Sequence, residues 1–181
     1  MPKPYPVSGQ VFVPAIAVAP SGVNGGVVIG TYSNVNLTPA VTGNAILDSY
    51  VLPAFALDRP GTGLYITAFA TTAANVNSKT LAINFAGTGA VGVAPVNGTV
   101  IVTQATTASG ASLLVEVWVF KTAASAQTYA GYGTAGAALA APTTGTLSVA
   151  DTGGIQVNLV MNNATAAGDS TVQFWQIQYL G

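Results

Sequence analysis

The chain has 181 residues, of which four are Lys or Arg and five are Asp or Glu, and it contains neither His nor Cys. That is 5 % charged residues, against about 25 % in an ordinary soluble domain. Ser-His-Asp triads, thiol nucleophiles and zinc sites of the usual ligands are excluded, and a net charge of −1 with four cations cannot build the basic surface that nucleic acid requires.

Residues 1–25 carry Pro at 2, 4, 6, 14 and 20. Proline blocks a regular ladder in a sheet interior, so this stretch reads as an extended arm lying on another surface. Its apolar run, Val11-Phe12-Val13 through Pro20, holds two prolines within ten residues, where a membrane-spanning helix needs about 20 unbroken apolar residues. Met1-Pro2-Lys3-Pro4-Tyr5-Pro6 makes a poor signal-peptide start, so neither a targeting segment nor a membrane partner is expected. Strands are expected at Gly26–Tyr32 and Ala45–Leu52, and Asp58-Arg59-Pro60-Gly61 closes the segment as a turn. The chain is thus expected to divide into an arm, 1–60, with one or two short strands, and a domain, 61–181.

From Gly63 the strands come at an even pace. Leu64, Ile66 and Ala68 alternate with Tyr65, Thr67 and Phe69. Leu81, Ile83 and Phe85 alternate with Ala82 and Asn84. Thr99–Gln104 follows. Ala111–Lys121 sets Leu113, Val115, Val117 and Val119 on one face and Leu114, Glu116, Trp118 and Phe120 on the other. Then come Gln127–Tyr132, Gly145–Val149, Ile155–Met161 and Thr171–Leu180. The Ala-rich stretch 134–142 is short, holds Gly136 and ends at Pro142, so it reads as loop. A period of two throughout means antiparallel sheets with one face on a core. About eight such strands predict an all-β sandwich of jelly-roll type behind an extended N-terminal arm.

The strands at 111–121 and 171–180 are apolar or aromatic on both faces, whereas the outward face of a sandwich should be polar. Trp118, Phe120 and either Trp175 or Phe174 therefore need a second cover, and Tyr179 is a further candidate interface residue. The arm, with Val11, Phe12 and Val13, could supply that cover; so could a subunit or capsid interface.

Other patterns are weaker. Gly87–Gly92 and Gly131–Gly136 both fit GxGxxG, but neither opens a helix as a dinucleotide site must. Asp151 and Asp169 sit in turn-like stretches and read as turn formers. Glu116 lies mid-strand, either at a rim or paired with Lys121 or Lys79. Tyr65, Phe69, Tyr129, Tyr132 and Tyr179 read as core or cross-strand pairs, with a sugar-binding platform as the alternative. Asn97-Gly98 reads as a hairpin turn. No catalytic, cofactor or metal site is expected, and no enzyme.

One series of residues goes further. A strand at 63–71 leads into Asn75-Val76-Asn77-Ser78-Lys79-Thr80 and a strand ending Phe85-Ala86-Gly87. A strand with an acidic centre and a basic end, Glu116 and Lys121, follows. Gly168-Asp169 introduces the last strand. In this order the elements resemble a jelly-roll domain found in structural proteins of tailed bacteriophages, over about residues 60–181. The chain departs from that group at Lys121, where Arg is common, and in its low charge. The resemblance implies a virion protein that assembles as a homotrimer. The expectation is a capsid decoration (cement) protein, made in the host bacterial cytoplasm and seated on the outer capsid surface, with the major capsid protein as partner. Its alternative is a fibre or spike head that binds host-surface carbohydrate, in which Tyr129 and Tyr132 face solvent together. A third reading is a shell-forming subunit.

Overall fold

The computed structural model describes residues 27–181, with side chains from Leu37 onward. The Pro-rich stretch, including Val11, Phe12 and Val13, lies outside the described residues. The described chain forms strands and no helix: β1 (Val27–Leu37), β2 (Gly43–Leu52), β3 (Gly63–Thr72), β4 (Lys79–Phe85), β5 (Thr99–Thr106), β6 (Ser112–Ala123), β7 (Ala126–Ala135), β8 (Ala138–Leu139), β9 (Thr143–Leu147), β10 (Ile155–Asn163) and β11 (Ser170–Leu180). The larger sheet runs β1-β11-β3-β6-β7-β8, with β9 also on β7; the smaller runs β2-β10-β4-β5. Every strand pairing is antiparallel.

Setting aside β7–β9, two four-stranded sheets remain, β1-β11-β3-β6 and β2-β10-β4-β5. The chain crosses between them so that the last two strands slot inside the first four. That is the eight-strand jelly roll, widened by an insertion, β7–β9, on the larger sheet. β1 and β2 pair with β11 and β10, so both sheets draw on the segment 1–60.

Alternation decides which side chains meet between the sheets. Leu64, Ile66, Ala68 and Ala70 from β3 and Leu113, Val115, Val117 and Val119 from β6 face Leu81, Ile83 and Phe85 from β4 and Val157, Leu159 and Met161 from β10, all with no exposed surface. At β7 the gap narrows. A Cβ on Gly133 would lie 2.7 Å from Gln104 Cβ on β5, so only glycine lets the two layers approach there.

The turn before β3 follows its sequence. Thr62 N–H bonds Arg59 O at 3.2 Å, and Gly61 has φ +94° after Pro60, the geometry of a type II turn.

One irregularity re-aims the last strand. The register of β11 on β3 shifts between Val172 and Phe174. Such a bulge inserts an unpaired residue and reverses which parity points inward. Val172 and Trp175 are therefore both buried, while Phe174 is only half-buried. Trp175, expected at an interface, is instead a core residue with no exposed surface. Its indole N–H donates to Asp48 Oδ2 at 3.1 Å. Tyr179 shares its face and packs half-buried against the same core.

Candidate functional site

The charged residues go mostly inside. Eight of the nine are described, all but Lys3. Lys79, Lys121, Asp151 and Asp169 are buried, and Asp48 and Glu116 are half-buried. Only Asp58 and Arg59, adjacent and opposite in sign, are exposed.

Two of the internal groups rest on a loop motif. Lys79 Nζ, fully buried, donates to Asn75 O at 2.8 Å and to Asn75 Oδ1 at 2.6 Å. Asn75 Nδ2 and Asn77 Nδ2 donate to the two carboxylate oxygens of Asp169, at 2.8 and 2.7 Å. The hydrogen bonds from Asn77 and Asn75, with the nearby Lys79 charge, hold the Asp169 carboxyl below the usual range. Asp169 is thus the acceptor that organises the Asn75–Lys79 loop against the start of β11, beyond its place in a turn. Asp151 also has a partner at long range. It forms a buried ion pair with Lys121 at the end of β6, and that hydrogen bond depresses its carboxyl. Lys121 and Lys79 are both engaged, so neither pairs with Glu116.

Glu116 is held by phenols instead. It sits at the centre of the outer face of the larger sheet, opposite Thr67 on β3 and Tyr132 on β7. Tyr65 Oη donates to its Oε1 and Tyr132 Oη to its Oε2. Trp118, two residues along β6, lies between the same tyrosines, with ring centroids 5.0 Å from Tyr65 and 6.1 Å from Tyr132. Burial, then the Glu116 hydrogen bond and charge, push the Tyr65 phenol up to about 12; the Glu116 hydrogen bond also raises Tyr132. Trp118 is half-buried and Phe120 is exposed on this face. Tyr129 lies on the opposite side of β7, packed against the core, so Tyr129 and Tyr132 do not form one solvent-facing pair. Alternation put Tyr65, Glu116 and Trp118 on the outer face of their strands; the cross-strand register needed to bring Tyr132 to Glu116 had no local signal.

Part of the outer face of the smaller sheet is covered by its own chain. The connection 86–98 folds back over Ile46, Ala82 and Val160, which form a small buried cluster. Ile46 N–H bonds Val93 O and Gly92 N–H bonds Ile46 O, both at 2.8 Å. Buried Asn158 donates to Asn84 Oδ1 at 3.2 Å and to Gly87 O at 2.9 Å, and Asn84 reaches Asn97 O at 3.3 Å. Gly87–Gly92 therefore belongs to this flap, and Gly131–Gly136 to β7 and its turn, not to phosphate-binding loops. Asn97-Gly98, both at positive φ, ends the flap; the link from β4 to β5 is the whole segment 86–98, not a two-residue turn. The flap shows solvent a row of apolar side chains, Val91, Val93 and Val96, continued by Val100 on β5.

Among the described residues, no group of three or more Asp or Glu comes together that could hold a metal ion. Among the same residues no helix is long and apolar enough to cross a membrane. No protein-family model matches the chain, and no curated protein matches it. Among solved structures it is similar to the CBM2 module of the evolved Dit of Lactobacillus casei BL23 phage J-1, at 8 % identity and a TM-score of 0.35, covering 74 % of this chain and 69 % of that one. It is similar to the metal-free lectin I-B4 of Griffonia simplicifolia, at 9 % identity and a TM-score of 0.36, over 85 % and 86 %. It is also similar to an endo-β-1,4-glucuronan lyase of the fungus Trichoderma reesei, at 15 % identity and a TM-score of 0.35, over 86 % and 87 %. These overlaps fix no family, ligand or reaction for the chain.

The sheets therefore present two unlike outer surfaces. One is an aromatic face built around a carboxylate. The other is an apolar flap laid over an amide network.

Proposed function

We propose that this chain is a virion structural protein of capsid decoration (cement) type, standing as a homotrimer on the outer capsid surface and bound to the major capsid protein. The observation that carries this reading is the fate of the charges. Six of the eight described are wholly or partly withdrawn from solvent, leaving Asp58 and Arg59 exposed. A nearly uncharged exterior offers little repulsion between copies and little desolvation cost when it is covered. The exposed valines of the flap supply apolar area for such contacts. The phage-like motif adds support, because Asn75, Asn77, Lys79 and Asp169 converge in one structural network.

In this reading the Pro-rich arm lies across neighbouring capsid subunits, adding to their sheet edges. Its weak contacts act together because the copies are linked in a trimer. The protein would then clamp neighbouring capsid subunits and stabilise the filled head.

The test adds purified protein to undecorated capsids. Saturable binding that weakens on deleting residues 1–25, and in Val93→Asp with Val96→Asp, is the expected result, together with a trimer mass in solution. Absence of saturable binding, or a stable monomer at micromolar concentration, overturns it.

A further inference from the structure

We infer that the Glu116 face of the larger sheet is a binding site for an uncharged saccharide. The inference does not depend on where in a virion the jelly roll sits.

The first observation is a carboxylate with no cationic partner on an aromatic sheet face. Glu116 is half-buried on a sheet face, and its partners are phenols, not cations. A carboxylate has about four lone-pair sites, and Tyr65 and Tyr132 take one on each oxygen. Covering this face with an apolar protein surface would strip water from the remaining sites and return nothing. Hydroxyl donors would satisfy them.

The second observation is what surrounds it. Trp118 is half-buried beside Glu116, and its neighbour across β7 is exposed Ala130, too short to cover an indole. Tyr65 and Tyr132 flank it. On the other side, β11 brings Gln176 and Gln178, both half-buried, next to Thr67 and Tyr65. Aromatic surface with a few convergent polar groups is the composition of a small-ligand site. The apolar C–H side of a pyranose matches the rings, and its hydroxyls match one carboxylate and two amides.

The third is charge. Among the described residues no cation is paired with Glu116: Lys79 and Lys121 are buried elsewhere, Arg59 lies in the turn before β3, and Glu116 itself repels anions. The ligand is therefore a neutral sugar, not a uronate or a phosphorylated glycan.

The experiment uses the full chain with maltohexaose, cellohexaose and chitohexaose, and hexagalacturonate as the acidic comparison. The chain has two tryptophans, and Trp175 is buried, so Trp118 is the reporter. At least one neutral hexasaccharide should change tryptophan emission saturably, with no change in Trp118→Phe. Calorimetry should find affinity reduced by at least about tenfold in Glu116→Ala, as for lost hydrogen bonds to a charged acceptor, and Trp118→Phe keeps an aromatic ring, guarding against a misfolded variant. Silence with all three neutral sugars overturns the inference, as does preference for hexagalacturonate. So does a Trp118→Phe or Glu116→Ala protein that binds sugar unchanged. A Glu116→Ala protein that loses its oligomeric state instead marks the face as a contact between copies, which also overturns it.

Discussion

Lys79 and Asp169 are joined through a single amide. Asn75 takes the Lys79 ammonium on Oδ1 at 2.6 Å and donates from Nδ2 to Asp169 at 2.8 Å. A buried cation and a buried anion are each satisfied by the two ends of one side chain, which itself accepts the Asn77 N–H at 3.1 Å. Replacing Asn75 therefore disturbs both charges at once.

Asn75→Ala should lower the midpoint of urea unfolding more than Asn77→Ala does, because Asn77 reaches Asp169 alone. Loss of the side-chain acceptor of the Lys79 ammonium costs at least about 1.5 kcal/mol. Equal midpoints for the two variants would show that Asn75 does not mediate between the charges.

The same contacts set the acid limit of stability. Asp169 and Asp151 both have carboxyls depressed by their partners. A depressed carboxyl binds its proton less tightly in the folded chain than in the unfolded one. Its contribution is whole above the ordinary carboxylate value, about 3.9, and is lost as pH falls through the lower folded value. Unfolding midpoints measured from pH 6 to pH 2 should be nearly flat at first and then fall steeply. In Asp169→Asn the steep part should be shallower.

These networks also show where reading the sequence stopped. The alternation along β3, β4 and β6 placed the core residues correctly, because period two is a local property. The strand expected at Ala45–Leu52 forms over Gly43–Leu52, and the one expected from Gly63 forms over Gly63–Thr72, each within two residues of its reading because Gly and Pro mark their ends locally. Asp169 and Asp151 read as turn formers, because their partners are distant: Asn77 is 92 residues away and Lys121 is 30. Trp175 was misplaced against its own local signal. It alternates with Gln176 and Gln178 on the side of buried Ile177, so the local pattern already pointed inward; the unmarked bulge before Phe174 is what adds Val172 to the same face. Glu116 reads as the one mid-strand charge; it does lie mid-strand on β6, but Asp48 lies in the middle of β2 as well. The phenol partners of Glu116 required knowing that β3 and β7 flank β6.

The Lys121–Asp151 pair tests how much of that burial is stabilising. Both side chains are almost wholly enclosed. Asp151→Ala leaves an ammonium buried without its partner and should cost about 3 kcal/mol. The double change Lys121→Met with Asp151→Leu should recover most of that loss, since apolar side chains of similar size avoid the desolvation of both ions. Denaturant titration of the wild type, the single variant and the double variant gives the comparison. A double variant no more stable than Asp151→Ala would mean that the pair itself, not the stranded charge, supplies the stability.

The Tyr65 phenol gives a signature at the alkaline end. Its value of about 12 lies above the ordinary phenol value of about 10. The folded chain therefore holds this proton more tightly than the unfolded chain does. The resulting stability is whole below about pH 10 and is lost as pH rises through the folded value. Absorbance titration at alkaline pH should show a late tyrosine step. Glu116→Gln removes the charge and weakens the acceptor, so that step should move toward lower pH. A step that stays in place would assign the shift to burial alone.

The flap over the smaller sheet depends on two glycines in contact. Gly98 has φ +72°, and a Cβ there would run into the backbone of Gly87. The left-handed conformation alone costs a non-glycine residue about 1 kcal/mol or more, and the backbone contact cannot relax as a flexible side chain would. Gly98→Ala should therefore lift the flap beyond Ala86 while leaving the sandwich folded, since of the 86–98 segment Ala86 packs against the core between the sheets and the exposed valines do not. The amide of Gly92 bonds Ile46 O, and that of Ile46 bonds Val93 O; hydrogen exchange at both should accelerate well above that of Leu81 or Val157. If exchange rises equally at all four, the flap and the sandwich open as one unit, and the Asn84–Asn158 network is part of the core it borders.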